Sequence, residues 1–176
     1  MSTGAGASRM TSDRFWDIIG RTADEGDADL QLEALDRALR KLSQAELPAF
    51  RDAYLRAHRE ANHWDLWAAA FLINGGCSDD GFSYFRDWLI SKGQDVYEAA
   101  VEDADSLADV LDEDTETEFE EFGYVADEVY EDRFDDEMPP SPVGPDGAPQ
   151  GRPFDEDEDA LADRFPRIAR RMEELG

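Results

Sequence analysis

The apolar residues of this chain recur at helical spacing, and this pattern restricts its fold more than any other feature. Between residues 15 and 130, stretches with one apolar face alternate with short polar connections, and none has the period of two that is typical of β-strands. An apolar helix face must pack against another element. The sequence therefore predicts an all-α fold, a compact irregular or orthogonal bundle of six to eight helices. Residues 64–73 are apolar on nearly all sides, so we expect them to form the central helix.

Capping residues predict where several of these helices begin. Ser12 is a candidate N-cap for the first helix because its side-chain oxygen can accept a hydrogen bond from an unpaired backbone N–H. Ser43 and Glu46 have the spacing of a capping box, in which the two side chains bond to each other's backbone. Thr115 and Glu118 repeat this spacing, which predicts a longer helix immediately after them.

Composition divides the chain into four parts. Residues 1–11 are small and polar, which predicts a disordered leader and no signal peptide. Residues 12–137 form the predicted acidic helical domain of this single-domain chain. Residues 138–153 contain six of the eight prolines and are predicted to be a linker or a long surface loop. Residues 154–176 are predicted to be a basic amphipathic C-terminal helix, interrupted at Pro166, that docks on the domain.

Acidic residues dominate the chain, with 44 Asp and Glu against 17 Lys and Arg and a formal net charge of −27. Such a field disfavours direct binding to nucleic acid and to anionic membranes, and it attracts basic proteins. The excess is greatest in residues 102–137, where 18 acids stand against the single Arg133. We therefore expect a basic protein partner. The candidate partner-facing acidic patch consists of Glu118, Glu120, Glu121, Asp127 and Glu128.

Cysteine content and hydropathy indicate the compartment. Cys77 is the only cysteine, so the chain cannot form an internal disulfide, and this suits a reducing environment. The longest uninterrupted apolar run, residues 66–73, is far shorter than the roughly 20 residues that a membrane-spanning helix needs. These features predict a cytoplasmic protein.

The turn at residues 74–80 combines glycines, carboxylates and a cysteine, which could hold a cation or present a thiolate. Capping explains the same residues: the glycines end one helix, a serine begins the next, and two acids follow in its first turn. Aromatic residues at helical spacing on both sides of the turn are most simply core, but exposed members would line a ligand pocket. The candidate binding residues of this region are Trp64, Trp67, Asn74, Cys77, Asp79 and Asp80.

No catalytic residue, metal site or cofactor motif is recognisable. Cys77 as a nucleophile would need a base, and the chain offers only His58, which falls on an apolar helix face, and His63, which lies at a helix junction. The acidic run from Asp112 has Thr117 and Gly123 where a calcium-binding EF-hand loop needs a glycine and a bidentate acid. One cysteine and two histidines cannot supply the spacing of a zinc site. We therefore expect no cofactor and no metal.

Several segments together resemble a bacterial family catalogued as domain of unknown function 4240. The resemblance lies in residues 64–67 (WDLW), 74–82 (NGGCSDDGF) and 84–90 (YFRDWLI), with flanking similarity at 15–19 (FWDII) and 105–108 (DSLA). It covers most of the chain from residue 15 to about residue 130. It departs from the family's pattern at Ala104, where proline is expected. The resemblance implies a small helical domain, and it supplies no activity and no catalytic residue.

Three hypotheses about function follow. The first is a non-enzymatic protein-interaction or regulatory module, of the immunity or inhibitor type, that binds a basic partner through the acidic face of residues 102–137. The second is an enzyme or a metal-dependent ligand-binding protein that uses the turn at residues 74–80 and an adjoining aromatic pocket. The third is a structural accessory domain that helps another protein to fold or assemble.

Overall fold

The computed structural model describes residues 10–176, and within them the predicted all-α class is confirmed. Residues 1–9 of the predicted leader lie outside the described residues, whereas Met10 is buried against the core and Thr11 caps the first helix. Two segments form 3₁₀ helices instead of α-helices. The elements are α1 (Ser12–Ala23), α2 (Ala28–Leu39), α3 (Glu46–Glu60), α4 (Trp64–Asn74), α5 (Asp79–Ser91), α6 (Gln94–Glu102), a first 3₁₀ helix (Ala104–Val110), a second 3₁₀ helix (Glu120–Tyr124), α7 (Val125–Phe134), α8 (Glu158–Arg164) and α9 (Pro166–Leu175).

Nine α-helices in the described part of the chain exceed the six to eight that the sequence suggested. The C-terminal stretch, predicted as one helix, divides into α8 and α9 at Pro166, because proline lacks the N–H that a continuous helix would need there. Proline is well suited to the first position of α9, where that N–H would be unpaired in any case. The difference in number therefore comes from short helices and not from a different class of fold.

The helix ends follow local capping chemistry. Thr11, and not Ser12, is the N-cap of α1, because its side chain accepts a hydrogen bond from the Arg14 N–H. The capping box at Ser43 and Glu46 is present: the Ser43 N–H donates to Glu46 at 2.7 Å, and the Glu46 N–H donates to the Ser43 hydroxyl at 3.2 Å. This reciprocal pair fixes the entry into α3.

The second predicted capping box, at Thr115 and Glu118, is wrong. The Thr115 hydroxyl instead donates to the Asp112 carboxylate at 2.6 Å and closes a local turn. No helix begins here: the chain turns at residues 113–114 and then continues without regular structure to Phe119, whose N–H donates to the Tyr84 carbonyl of α5. Helical structure resumes only at the second 3₁₀ helix. Side chains that can bond locally compete with helix formation in this way.

The central element is α5, and not the predicted helix at residues 64–73. From Phe85 to Ser91 every residue of α5 is buried, including Arg86 and Asp87. α5 packs against α1, α3, α4, α6 and the second 3₁₀ helix, whereas the neighbours of α4 include α8, α9 and the first 3₁₀ helix. α4 is thus the helix that the C-terminal part of the chain covers.

A long non-helical segment, residues 135–157, joins α7 to α8, and we call it the strap. The strap runs against the domain: Met138 is buried, and the Arg51 guanidinium donates to the Pro139 carbonyl at 2.6 Å. Beyond it, α8 and α9 pack on α4, and α9 also packs on the first 3₁₀ helix. The side chains of Leu161, Phe165 and Ile168 are buried there.

The first turn of α9 is capped by a residue that lies far away in the sequence. The buried Asp105 of the first 3₁₀ helix accepts hydrogen bonds from the backbone N–H groups of Arg167 and Ile168, at 3.1 and 2.8 Å. A carboxylate in this position satisfies unpaired donors and interacts favourably with the positive end of the helix dipole. The amphipathic face and this cap together hold α9 on the domain.

Candidate functional site

The turn at residues 74–80 has the geometry of two helix caps. Gly75 ends α4 in the left-handed conformation, with φ of 67°, and Ser78 begins α5 by accepting a hydrogen bond from the Gly81 N–H. Asp79 and Asp80 are exposed in the first turn of α5, where carboxylates stabilise a helix through its dipole. These contacts account for the residue types of the turn without a bound ion.

The two other candidate residues of the turn are held by neighbouring segments. The Asn74 side-chain oxygen accepts a hydrogen bond from the Thr117 hydroxyl at 2.7 Å, and the Cys77 carbonyl accepts one from the Trp67 indole at 3.0 Å. Partial burial, followed by the nearby Glu118 carboxylate, raises the pKa of the Cys77 thiol to about 11. A thiol with such a pKa is almost entirely protonated at neutral pH, which is the opposite of an activated nucleophile.

The candidate aromatic residues of α4 form a stack and not an open pocket. The rings of Trp64 and Trp67 lie 5.3 Å apart and nearly parallel, and Trp67 stacks in turn on Phe82 at 4.9 Å. Phe154 of the strap packs with its edge toward Trp64 at 6.1 Å. Both tryptophans are only partly buried, and each of them stacks on another ring of the same chain.

The five residues of the predicted acidic patch do not share one face. Glu118 and Glu120 lie beside the N-terminal half of α5, as shown by the contact of Glu118 with Gly81 and the interaction of Glu120 with Tyr84. Glu121 and Glu128 line a groove against α2. Asp127 faces α3, and its carboxylate lies 3.8 Å from the Arg51 guanidinium. The sequence spacing could not reveal this division because the second 3₁₀ helix replaces the predicted α-helix.

Glu118 and Glu120 instead lie on the same surface as Asp80, a residue that the sequence predicted in a different site. We call this surface the tyrosine face, and it consists of Asp80, Tyr84, Glu118, Glu120 and Tyr124. The Tyr124 side chain is 51% exposed, and its hydroxyl donates to Glu120 at 3.4 Å. Partial desolvation and the Glu120 carboxylate raise the pKa of both tyrosines. The structure thus places one acid of the turn beside two acids of the predicted patch.

The groove on the other side of the second 3₁₀ helix has a mixed lining. It is lined by two apolar residues, Leu32 and Val125, and by four acids, Glu33, Asp36, Glu121 and Glu128. It encloses about 470 Å³, but Arg37 also lines it and pairs with Glu33 at 3.8 Å. The groove therefore differs from the tyrosine face in that a guanidinium lies among its carboxylates.

Between α3 and α5 lies a buried polar cluster that the sequence pattern did not predict. The Tyr54 hydroxyl donates to Oδ1 of Asp87 at 2.6 Å, and Nε2 of His58 lies 3.6 Å from the same oxygen. Nη1 of Arg86 donates to the His58 carbonyl at 3.1 Å and to Asp146 of the strap at 2.8 Å. We call these five residues the buried polar cluster.

Burial shifts the pKa values of this cluster in opposite directions. Desolvation raises the pKa of Asp87 to about 7, although the hydrogen bond from Tyr54 and the charge of Arg86 oppose the shift. Desolvation, helped by the charge of Arg86, lowers the pKa of His58 to about 4. The imidazole is therefore neutral at pH 7, and it lies within hydrogen-bonding distance of the Ser83 carbonyl, at 3.1 Å. Perturbed pKa values of this kind are frequent in functional sites and also in structural networks.

Only part of this cluster left a signal in the sequence. Tyr54 and His58 are spaced to share the buried face of α3, which marks them as inward-facing. Arg86 and Asp87 are adjacent charged residues in an apolar helix, and only the all-round burial of α5 places both of them inside. Asp146 lies in the proline-rich segment, where no periodicity exists to predict a contact.

Comparisons with known proteins give one match. The model of the family described as "Protein of unknown function (DUF4240)" matches residues 10–132. Neither the curated proteins nor the solved structures contain a significant match to the chain. Across residues 10–176, no helix combines the length and the apolar content needed to cross a membrane, and no group of three or more acidic, His or Cys side chains is placed to hold a metal ion. The match spans all elements from α1 to most of α7, and the chain therefore belongs to the DUF4240 family.

Proposed function

We propose that this protein is a non-enzymatic interaction or regulatory module of the cytoplasm that binds a basic protein partner through the tyrosine face. The observation that carries the proposal is the juxtaposition of three carboxylates, Asp80, Glu118 and Glu120, with an exposed tyrosine. In the described part of the chain, none of these carboxylates lies within 4.0 Å of a basic side chain. They are therefore available to a partner's Lys and Arg.

The tyrosines add apolar contact area to a surface that otherwise offers only charge. Tyrosine buries a large apolar ring at a small cost in side-chain entropy and is enriched among the residues that dominate binding energy. Tyr124 is one of two large apolar or aromatic side chains in the described residues that are about half exposed. An arginine of a partner could stack on its ring while donating to Glu120.

Net charge supports the same proposal through association kinetics. A formal charge of −27 steers a basic partner toward the protein before contact, and this effect weakens as salt screens the field. An inhibitor or immunity protein that masks a basic active site is one form of such a module. Partner binding should therefore slow as ionic strength increases, with most of the effect in the association rate.

The test is an affinity capture from native cell extract with three forms of the full chain. The tyrosine-face variant carries Glu118→Gln, Glu120→Gln and Tyr124→Ala, and the matched control carries Glu98→Gln and Glu102→Gln on the exposed face of α6. Both variants lose two negative charges, and they differ in where the charge is removed and in the loss of the Tyr124 ring. Circular dichroism establishes that each remains folded.

The proposal predicts a basic protein that the wild-type chain and the α6 control retain at low salt, and that the tyrosine-face variant loses. Equal retention by all three forms would show that the tyrosine face is not the binding surface. Binding that is unchanged between about 50 mM and 500 mM salt, where the Debye length falls from roughly 14 to 4 Å, would exclude the electrostatic mechanism.

A further inference from the structure

The strap lies on the domain as an extended peptide lies on a receptor. The Asp146 carboxylate accepts a hydrogen bond from Arg86, and the next residue, Gly147, accepts one from the Asn62 side chain at 2.9 Å through its carbonyl. Farther along, Gln150 pairs with the junction between α3 and α4. Its N–H donates to the Asn62 carbonyl at 2.9 Å, and its carbonyl accepts from the Trp64 N–H at 2.8 Å.

These contacts combine a charged anchor with backbone pairing. Gln150 and His63 form a single isolated parallel bridge, which uses the same kind of backbone hydrogen bond that a peptide makes when it pairs with a strand. Backbone bonds are independent of side-chain identity, whereas the Arg86 contact demands a carboxylate. The receptor surface consists of the end of α3, the junction to α4 and one buried arginine of α5, and it shares no residue with the tyrosine face.

Arg86 is incompletely satisfied by the strap. Only 5% of the residue is exposed, and its Nε is buried without a hydrogen-bond partner among the described residues. Asp146 offers one oxygen to one guanidinium nitrogen, Nη1, and its side chain is 36% exposed. A guanidinium can bind a carboxylate through two parallel hydrogen bonds, which is the stronger arrangement. The strap thus uses only some of the hydrogen-bond donors of the Arg86 guanidinium.

The boundary of the family match separates the receptor from its occupant. Arg86, His58, Asn62 and Trp64 lie inside the matched residues 10–132, whereas the whole strap lies beyond them. The matched domain therefore contains a buried arginine whose direct carboxylate partner is supplied by a segment outside the match.

We infer that the surface formed by Arg86, Asn62 and the backbone at Trp64 is a binding site for an extended acidic peptide, and that the strap occupies it as an internal ligand. The peptide would place a carboxylate on Arg86 and pair its backbone four residues later with the α3–α4 junction, as Asp146 and Gln150 do. This site goes beyond the basic partner of the tyrosine face.

Local charge favours such a peptide despite the acidity of the whole chain. Near the strap, two arginines of α3, Arg56 and Arg59, and one acid, Glu60, line a surface cavity of about 430 Å³ together with strap residues, so the α3 side of this cavity carries a net positive charge. His58 is neutral at pH 7, so it adds no charge there, and its Nδ1 lies 3.9 Å from the Asp146 carboxylate. An arriving peptide thus meets guanidinium groups on α3 before its carboxylate reaches Arg86.

An intact strap must suppress binding of an external peptide. A tethered ligand acts at an effective concentration in the millimolar range, so a peptide of equal affinity competes only when the strap is weakened. The strap-replaced chain is the full chain with residues 141–150 exchanged for a Gly/Ser segment of equal length. The probe is a fluorescein-labelled peptide of residues 139–150, PPSPVGPDGAPQ, and the control peptide carries Asn in place of its aspartate.

Fluorescence polarisation should show that the strap-replaced chain binds the probe at least about tenfold more tightly than the wild-type chain, because the tethered competitor is absent. It should bind the Asn peptide about tenfold more weakly than the probe, because the charge-assisted bond to Arg86 is lost. A strap-replaced chain that is folded by circular dichroism and fails to bind the probe at about 1 mM, or binds both peptides equally, would overturn the inference.

A second measurement decides the question if the strap-replaced chain does not fold. In the full chain with Asp146→Asn, the strap keeps its backbone contacts but loses its charged anchor. Titration with the probe should shift the Arg86 Nε–H resonance in NMR spectra, and the Asn peptide should not shift it. An unchanged Arg86 resonance at several millimolar probe, above the effective concentration of the strap, would refute the site.

Discussion

The Tyr54 hydroxyl donates a 2.6 Å hydrogen bond to Oδ1 of Asp87 and thereby joins α3 to α5 in the interior of the domain. Both side chains are largely buried, and the Asp87 carboxylate also faces His58, Arg86 and Glu120. Because burial penalises the charged form of Asp87, titration of this carboxyl makes the stability of the fold depend on pH.

Removing the titration of Asp87 should change the pH dependence of stability. Its pKa is about 7 in the folded protein and 3.8 in an unperturbed chain, so the folded state retains a proton that the unfolded state loses between those values. Stability from this group is fully present below pH 4 and is lost as pH rises toward 7. Asp87→Asn keeps a neutral acceptor for Tyr54, so its stability relative to wild type should rise over this window by on the order of 3 kcal/mol.

Urea unfolding at intervals from pH 4.5 to pH 8 measures this difference. His58 works in the opposite direction, because its lowered pKa of about 4 makes the fold lose stability as pH falls below 6.5. Taking the difference between Asp87→Asn and wild type largely cancels the histidine contribution. A difference that is constant across this range would mean that Asp87 does not titrate there.

Tyr54→Phe removes the hydroxyl and leaves the buried Asp87 oxygen without this donor. We expect a loss of about 1–3 kcal/mol in the free energy of unfolding, because a buried acceptor then lacks its bond. The pKa of Asp87 should rise further, since the hydrogen bond from Tyr54 opposes its upward shift. Carbon-13 NMR of the Asp87 carboxyl reads the pKa, and urea titration reads the stability. A fall in that pKa would contradict the assigned role of the hydroxyl.

Replacing Asp105 should loosen the C-terminal helix. Asp105→Ala leaves the N–H groups of Arg167 and Ile168 without their acceptor and should cost about 1–3 kcal/mol in the free energy of unfolding. Asp109→Ala is the matched control, because it removes an equal charge that pairs with Arg167 at the surface. An exposed pair of this kind contributes only about 0–1 kcal/mol.

Hydrogen exchange of the α9 amides distinguishes these two variants. Exchange should accelerate in α9 for Asp105→Ala and remain near the wild-type rate for Asp109→Ala. Similar acceleration in both would indicate that net charge, and not the buried cap, holds α9 on the domain.

The Cys77 thiol should react slowly with a disulfide reagent at pH 8, because its pKa of about 11 leaves little thiolate. Burial is the main cause of the raised pKa, and the Glu118 carboxylate is the second. Glu118→Gln should therefore accelerate the reaction, by less than about tenfold, and lower the apparent pKa in a rate profile against pH. An unchanged or slower rate would show that Glu118 does not influence the thiol.

Local chemistry was sufficient to predict much of the fold. The spacing of apolar residues predicted the all-α class, and the Ser43 and Glu46 side chains form the expected capping box. The same pattern failed at Thr115, where a turn to Asp112 competes with helix initiation. A capping pattern identifies hydrogen bonds that are possible locally, but at this position the Asp112 turn and the hydrogen bond from Phe119 to Tyr84 form instead.

The candidate sites depended on relationships that no local pattern contains. The turn acid Asp80 and the patch acid Glu120 were predicted in separate sites, but both lie next to Tyr84. Asp87 is buried because α5 is packed on all sides, and the sequence of α5 predicts this burial only in part. Contacts across long sequence separations require the tertiary structure, and these contacts define the tyrosine face and the buried polar cluster.

The cap that Asp105 places on α9 bears on how the chain completes its folding. Asp105 lies within the part that the family model matches, and its hydrogen-bond donors lie more than thirty residues beyond the end of that match. During synthesis, the matched part leaves the ribosome first. At that stage Asp105 lacks its two N–H donors, and the surface of α4 that α8 and α9 later cover is exposed to solvent. Docking of α9 must therefore wait until its residues have emerged, and a chain truncated at the family boundary would leave Asp105 without these donors.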